Sequence, residues 1–422
     1  MLEDSQQQTR VDQQRLPYFE TPIGTFYQVG YSIGEHFKSR IHEYLHRSDL
    51  PFQSTFLPFI KENSNCLEPW IQTTSELFPN YMDEIRGLAD GSQTSFEWIF
   101  ALNMLNELRS KIQKHHQDLE EKSKSAIQVP KVGGCSEVFV LSDSLFKGEK
   151  AIVAHNEDAD KSMGEYAYIV KARYLKSNNE TNKTIVAYHY PGTLAGNTFG
   201  WNAHLIFGTN GKSPLNVLTE KGIPRCFINR SVYESESIEE AFETLKKYAM
   251  QGASGFSTNI STRYKVDIHE DSVKPKHKRN QEQPYRFYRM CNIELAPPLE
   301  SNICISMYNV PIGDEDDDHN HSPIHYAHFN HYTHLKGVME GNVPSSRRRY
   351  ERSLSFKNIC DEDGVRQFLG DTHDTEFPIF RCQRFPDKGK TLATMIANVV
   401  EKKIRIYVGN PKFEPPIYEI DL

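Results

Sequence analysis

The sequence predicts an α+β fold with a helical block in front and strands behind it. Three observations carry that expectation. Apolar residues recur at three- and four-residue spacing through most of the first 115 positions. At Val132-Gly133-Gly134-Cys135-Ser136-Glu137-Val138-Phe139-Val140 the pattern switches to strand-like sequence. Near its end the chain has two apolar runs, 392–400 and 404–408, joined by Glu401-Lys402-Lys403, which read as a hairpin. Strands, a helical pair and strands again suggest layers of sheet and helix.

Residues 1–17 are Gln-rich and are expected to form a disordered leader. From Gly24, the spacing of Tyr27, Tyr31, Ile33, Phe37, Ile41 and Leu45 predicts an amphipathic helix. Gly30 and Gly34 lower its propensity, and their i, i+4 placement suits close approach of another element. Further helices are expected over 69–88 and 95–115. The charged stretch 117–125 reads as an accessible loop, as a processing site requires.

Strands are then expected over 136–141, 150–155, 167–173, 184–189 and 203–209. Asp143-Ser144 and Lys147-Gly148 turn the first two into a hairpin. Two helices follow, over 223–233 and 237–249, the second opened by the capping-box pair Ser237 and Glu240. Strands return at 255–261 and 264–269. Residues 272–284 read as an exposed insertion and 314–318 as an acidic loop before a strand at 324–332. A short helix with a basic start covers 345–354.

The totals bound the function. The chain has 422 residues, 38% apolar and 25% charged, with a formal net charge of −7. That balance gives no basic footprint for nucleic acid, and no run approaches the ~18 apolar residues of a membrane span. The start lacks the apolar centre of a signal peptide, so a cytoplasmic protein is expected. Seven scattered cysteines without a CxxC pair suggest neither a zinc ribbon nor a disulfide framework.

Cys135 needs its own argument. Cleavage of the Gly134–Cys135 bond makes Cys135 an N-terminus bearing both a thiol and an α-amine. A thiol reacts as thiolate, with an ordinary pKa near ~8.5, and an α-amine titrates near ~7.7–8.0. The amine is then a base for its own residue's thiol. Glycine before the nucleophile tolerates the backbone that self-attack demands. Asp158, at the end of the second strand of the hairpin, returns beside the first residue of the first strand. The other reading of Gly-Gly-Cys is a buried strand cysteine after a flexible linker.

At these residues the chain resembles the N-terminal nucleophile (Ntn) hydrolases of the isopenicillin N acyltransferase (acyl-coenzyme A:6-aminopenicillanic acid acyltransferase) family. The resemblance runs over about residues 20–415. It rests on the 24–34 opening, Gly134-Cys135-Ser136 with His155-Asn156-Glu157-Asp158-Ala159, Gly222-Ile223-Pro224-Arg225, His328-Phe329-Asn330-His331, Phe377-Pro378 and Lys388-Gly389-Lys390-Thr391-Leu392. The second of these is most similar to the β-alanyl-dopamine hydrolase branch.

The resemblance implies a four-layer αββα sandwich cut autocatalytically between Gly134 and Cys135. A helical chain, 18–134, then stays in the fold of a catalytic chain, 135–422. It implies Cys135 as nucleophile and base, Asp158 as orienting carboxylate and Asn330 as the oxyanion-stabilising amide. Asn210, Glu157, His328 and Lys388 are the expected substrate contacts, with Glu157 or Asp160 meeting a substrate amine or else lying on the hairpin surface. Lys388 follows Asp387 where the fungal enzyme has a Ser-Arg pair, which argues for a different acyl group.

The implied activity is hydrolysis of a small N-acyl amine, such as a β-alanyl biogenic amine, without cofactor or metal. An acyltransferase and an unprocessed ligand- or metal-binding protein are the alternatives. The expected partners are the substrate and the two chains of one precursor, with a homodimer of these left open. His319, His321, His325, His328, His331 and His334 have the residue type of metal ligands, but an Asp/His-rich loop is more often solvated. Arg347-Arg348-Arg349 reads as a basic helix face, or else as an anion site.

Overall fold

A computed structural model describes residues 16–120, 134–144, 148–175, 182–215, 221–267, 286–297, 305–310, 324–357 and 359–422, with the backbone alone at 116–120, 142–144, 148 and 324. The expectations for residues 1–15, 121–133, 272–284 and 314–318, and for His319 and His321, lie outside the described residues.

Strand β1 (Tyr18–Gly24) comes first, where only the tail of the leader and a helix start were expected. It shows no clean alternation, because it is an edge strand, paired in parallel with β4 further on. Thr25 caps α1 (Phe26–His36) through a capping box with Gln28. The expected single helix breaks at Phe37 into α1 and α2 (Lys38–His46). A short π-turn, Phe52–Phe56, leads into α3 (Leu57–Glu62). The 69–88 span is also two helices, α4 (Glu68–Leu77) and α5 (Pro79–Ser92). The break is at Phe78, which has φ −136° and ψ 56° because the residue before a proline avoids the α region. Then come α6 (Phe96–Leu102) and α7 (Leu105–Glu120).

The strands begin where the sequence pattern switches: β2 (Gly134–Ser144), β3 (Gly148–Ala159), a short α8 (Lys161–Tyr166), β4 (Tyr168–Tyr174), β5 (Lys183–His189), β6 (Gly200–Asn202) and β7 (Leu205–Gly211). Helices α9 (Arg225–Val232) and α10 (Ile238–Ala249) follow, then β8 (Phe256–Thr262), β9 (Val266–Asp267), β10 (Arg286–Phe287), β11 (Met290–Leu295), β12 (Ile305–Asn309) and β13 (Ile324–His328). The chain closes with α11 (Pro344–Ser353), α12 (Glu362–Leu369), β14 (Lys390–Asn398), β15 (Lys403–Tyr407) and β16 (Tyr418–Asp421).

The fold is α+β, as expected. One sheet has eight strands in the order β1-β4-β5-β6-β7-β8-β11-β12. A second has six, β13-β2-β3-β14-β15-β16, every pair antiparallel, and β9 and β10 form a separate two-stranded antiparallel pair. Side-chain alternation sorts the core into three clusters. In one, Val29, Ile33, Trp70, Ile85 and Phe227 of the helices meet Val170, Phe207 and Ile260 of the larger sheet. In the second, Phe139, Val153 and Met395 of the smaller sheet meet Ile169, Tyr188 and Ile206 of the larger. In the third, Val138, Val140 and Ile396 meet Val365, Phe368 and Leu369 on α12. Among the described residues no helix is long and apolar enough to cross a membrane.

The glycine spacing in α1 has a partner. Gly30 and Gly34 face α5, where Gly87 and Gly91 have the same spacing. A Cβ at any of the four would overlap a backbone carbonyl oxygen across the contact, of Glu84, Leu88, Tyr27 or Tyr31. Helix propensity alone favours Gly87→Ala by up to ~1 kcal/mol, whereas overpacking a tight contact costs ~1–3 kcal/mol or more. We expect Gly87→Ala to lower the denaturant midpoint of unfolding; a raised midpoint would contradict the close helix contact.

Candidate active site

The site lies where β2 and β14 begin and β3 and β13 end. The antiparallel register pairs Gly134 with Asp158, Cys135 with Glu157 and Glu137 with His155. Paired residues share a face, so Cys135, Glu137, His155 and Glu157 project together into the gap between the sheets, and Asp158 belongs to the other face. His155 is fully buried between two carboxylates, with Nδ1 2.6 Å from Glu137 Oε2 and Nε2 3.0 Å from Glu157 Oε2. Burial opposes its charge, but Glu137 and the Cys135 and Glu157 contacts outweigh burial and hold the imidazole well above its ordinary pKa. Tyr190 donates its hydroxyl proton to Glu157 Oε1 at 2.5 Å. The Cys135 Sγ lies 4.0 Å from Glu157 Oε2. Burial, then the Glu157 charge, push this thiol up, against the pull of His155.

The backbone of Cys135 is fixed from the other face. Its N–H donates to Asn330 Oδ1 at 2.9 Å. Arg349, fully buried on α11, donates to the Cys135 carbonyl, to Ser136 Oγ and to Asn330 Oδ1, each at 2.8 Å. Asp158 Oδ1 accepts from Thr391 Oγ1 at 2.7 Å. Its Oδ2 lies 3.6 Å from Arg349 and has no hydrogen-bond partner among the described residues. Burial raises the Asp158 pKa to about 6, against the pull of Arg381 and Arg349.

Gly134 sits in this cradle. A Cβ there would lie 2.6 Å from Arg381 Nη1, 3.1 Å from Arg349 Nη2 and 3.2 Å from Asn330 Oδ1. That Arg381 nitrogen is buried and has no hydrogen-bond partner among the described residues.

Of the residues singled out from sequence, Gly134, Cys135, Glu157, Asp158 and Asn330 line one pocket. Three others do not. Asn210 and His328 are buried behind its wall, bonded to each other at 2.9 Å, and His328 also meets Glu294 at 2.9 Å. Burial and Lys212 hold His328 down at about 3, so it is a neutral network member, not a pocket contact. Lys388, also an expected substrate contact, does not line this pocket. Lys388 is exposed, and its neighbour Asp387 turns inward to pair with Arg381.

The site also holds residues to which the sequence assigned no role in it. Lys212 lines the pocket, its Nζ 3.1 Å from Glu294 and close to the His331 carbonyl, and burial lowers its pKa to about 8. Arg349 is buried in the site, whereas Arg348 pairs at the surface with Asp374 and Glu376. His155 and Glu137 were readable from the parity of the hairpin. Arg381 and Lys212 carried no local signal.

Cys135, His155 and Glu157 place one donor atom each within 4.8 Å of one another, among the described residues a group close enough together to hold a metal ion. The Glu137 carboxylate on His155 Nδ1 is the kind of outer support that metal-binding histidines have. In the His-rich segment, His331 instead bonds Ser346 at 2.8 Å and His334 bonds Tyr326 at 2.8 Å.

Two comparisons bear on the chain as a whole. The family described as acyl-coenzyme A:6-aminopenicillanic acid acyl-transferase matches residues 145–291 and 302–413, more than half of the sequence. The beta-alanyl-dopamine/carcinine hydrolase of Drosophila melanogaster is 26% identical over 407 residues, 93% of each chain.

The electrostatics give a signed prediction. Because the Glu157 charge raises the Cys135 thiol, Glu157→Gln should shift the pH midpoint of Cys135 alkylation downward. Peptide mapping after iodoacetamide treatment across pH 6–10 reads this, and an unmoved or higher midpoint would contradict it.

Proposed function

The chain belongs to the acyl-coenzyme A:6-aminopenicillanic acid acyl-transferase family, and from that premise we propose that it is a self-processing amidohydrolase with Cys135 as its nucleophile. The three stacked cores support reading the fold as the four-layer αββα sandwich of Ntn hydrolases. The observation that carries the proposal is the junction itself. Cys135 opens a strand, its N–H is held by a side-chain amide, and the residue before it has no room for a side chain.

In processing, the Cys135 thiol attacks the Gly134 carbonyl. The C–N bond breaks, a thioester forms and the Cys135 nitrogen leaves as an amine. Water then hydrolyses the thioester and frees the Gly134 carboxylate. Asn330 Oδ1, which accepts from this nitrogen in the intact chain, keeps the new α-amine beside the pocket. Buried and short of solvent, the amine takes the thiol proton.

In turnover the thiolate attacks the substrate carbonyl. Asn330 Nδ2, which now donates to the Gly211 carbonyl at 3.0 Å, supplies the oxyanion donor with its second proton. The α-ammonium protonates the departing amine, and water clears the thioester. Asp158 Oδ2, buried and without a hydrogen-bond donor among the described residues, is a ready acceptor for the ammonium. The pairing of Cys135 with Glu157 puts a carboxylate where a cationic acyl group would lie, which favours β-alanyl amides. The fly relative's name agrees with that class. The chain up to Gly134 would remain as the first chain, with β1 in the larger sheet and its helices packed against that sheet.

The test is mass spectrometry of the purified protein together with activity. We expect fragments 1–134 and 135–422, one intact chain for Cys135→Ala, and free β-alanine from β-alanyl-dopamine. An intact, inactive wild-type chain would sink the proposal, and β-alanyl transfer to an added amine without release of β-alanine would make it an acyltransferase. Asn330→Ala should lower kcat by ~10²–10³-fold in the processed enzyme, and a change confined to KM would remove Asn330 from the oxyanion role.

A further inference from the structure

The pocket that holds Cys135 is also lined by Arg109 of α7 and Arg225 of α9, two cations that the chemistry above does not use. Among the described residues neither guanidinium is paired with a carboxylate. The nearby Glu107 is fully buried. Its Oε1 accepts from the Arg225 backbone N–H at 3.0 Å and from the Ser254 hydroxyl. It offsets one of the two charges at most, so this wall keeps an excess of positive charge.

Both side chains are held in place. With the Asn106 amide oxygen turned toward it, Arg225 donates through Nε and Nη2 at 3.0 and 2.8 Å. Its Nη1 remains, and it lies against Gly211, where a Cβ would come within 2.7 Å of it. The Gly211 carbonyl holds Asn330, and Asn330 holds the Cys135 nitrogen. The free end of Arg225 is therefore close to the reacting centre. Arg109 places its guanidinium 5.8 Å from the centre of the Phe56 ring, its Nη1 lies 3.5 Å from the Asn106 side-chain amide, and its Nε is buried without a hydrogen-bond partner among the described residues. Burial, and then the Arg225 charge, lower the Arg109 pKa to about 10, so an anion between the two guanidiniums would offset their repulsion. The guanidinium fork fits the two oxygens of a carboxylate.

We infer that Arg109 and Arg225 receive a carboxylate on the amine half of the substrate, so that N-acyl amino acids are preferred over the corresponding N-acyl amines. The inference rests on the amidohydrolase reading of Cys135. Charge sets the orientation. A cationic acyl group is drawn to Glu157 beside the nucleophile and repelled by the arginines, which leaves the amine half against them. Hydrolysis follows the same steps, and the product amine is a free amino acid.

β-Alanyl-histidine and β-alanyl-histamine differ only in the carboxylate. The wild-type enzyme should show kcat/KM roughly tenfold or more higher for the former, the scale of one charge-assisted hydrogen bond. In Arg109→Gln and Arg225→Gln the ratio of the two constants should fall toward one, a readout that partial misfolding does not move. A wild-type ratio at or below one, or a ratio unchanged in both variants, overturns the inference. If neither compound is cleaved, the amidohydrolase reading itself has failed. The arginine site is then read by protection of Cys135 from iodoacetamide. Protection by histidine but not histamine supports it, and equal or no protection overturns it.

Discussion

The hairpin register that sets Cys135 opposite Glu157 is the constraint on which the site depends. One residue of slip would turn Cys135 to the other face, among Val138, Val140 and the α11–α12 helices. The apolar alternation of β2 prevents this. Phe139 and Leu141 fill the gap between the sheets while Val138 and Val140 pack under the helices. The same packing that holds the sheets together therefore decides which way the thiol points, and the first residue of the strand stays at the rim where a pocket can open.

Around that strand end, charge is buried in matched groups. His155 lies between Glu137 and Glu157, Arg381 pairs with Asp387, and Lys212 meets Glu294. Arg349 ties the Cys135 carbonyl to Asn330 and reaches toward Asp158. Removing one partner of such a group strands the other without water, so the site resists single substitutions and keeps its geometry. Two buried polar atoms at this strand end are left unsatisfied. Asp158 Oδ2 and Arg381 Nη1 lack hydrogen-bond partners among the described residues. In an intact chain, both wait beside the Gly134–Cys135 bond.

Much of this was legible in the sequence. Period-two and period-3.6 patterns marked most strands and helices, and the i, i+4 glycines foretold the contact of α1 with α5. Edge strand β1 and strands β11, β12 and β16 were not, because edge pairing and full burial both erase alternation. Cys135, Glu157, Asp158 and Asn330, which sit in or beside recognisable motifs, meet in one pocket. Lys388 lies exposed, since sequence position does not say which way a loop turns, and Asp387 is the residue that faces in. Arg349, Arg381 and Lys212 come from distant segments, and only the packed fold shows that they meet.

The central claim is that the chain from residue 135 onward carries an acyl group on its own first residue. Rapid acid quench during turnover of a β-alanyl amide, followed by peptide mapping, measures this directly. The account predicts a β-alanyl adduct on the N-terminal peptide beginning at Cys135, and none on any peptide that still spans Gly134–Cys135. Turnover with the adduct on another residue, or on the uncut junction, would contradict it.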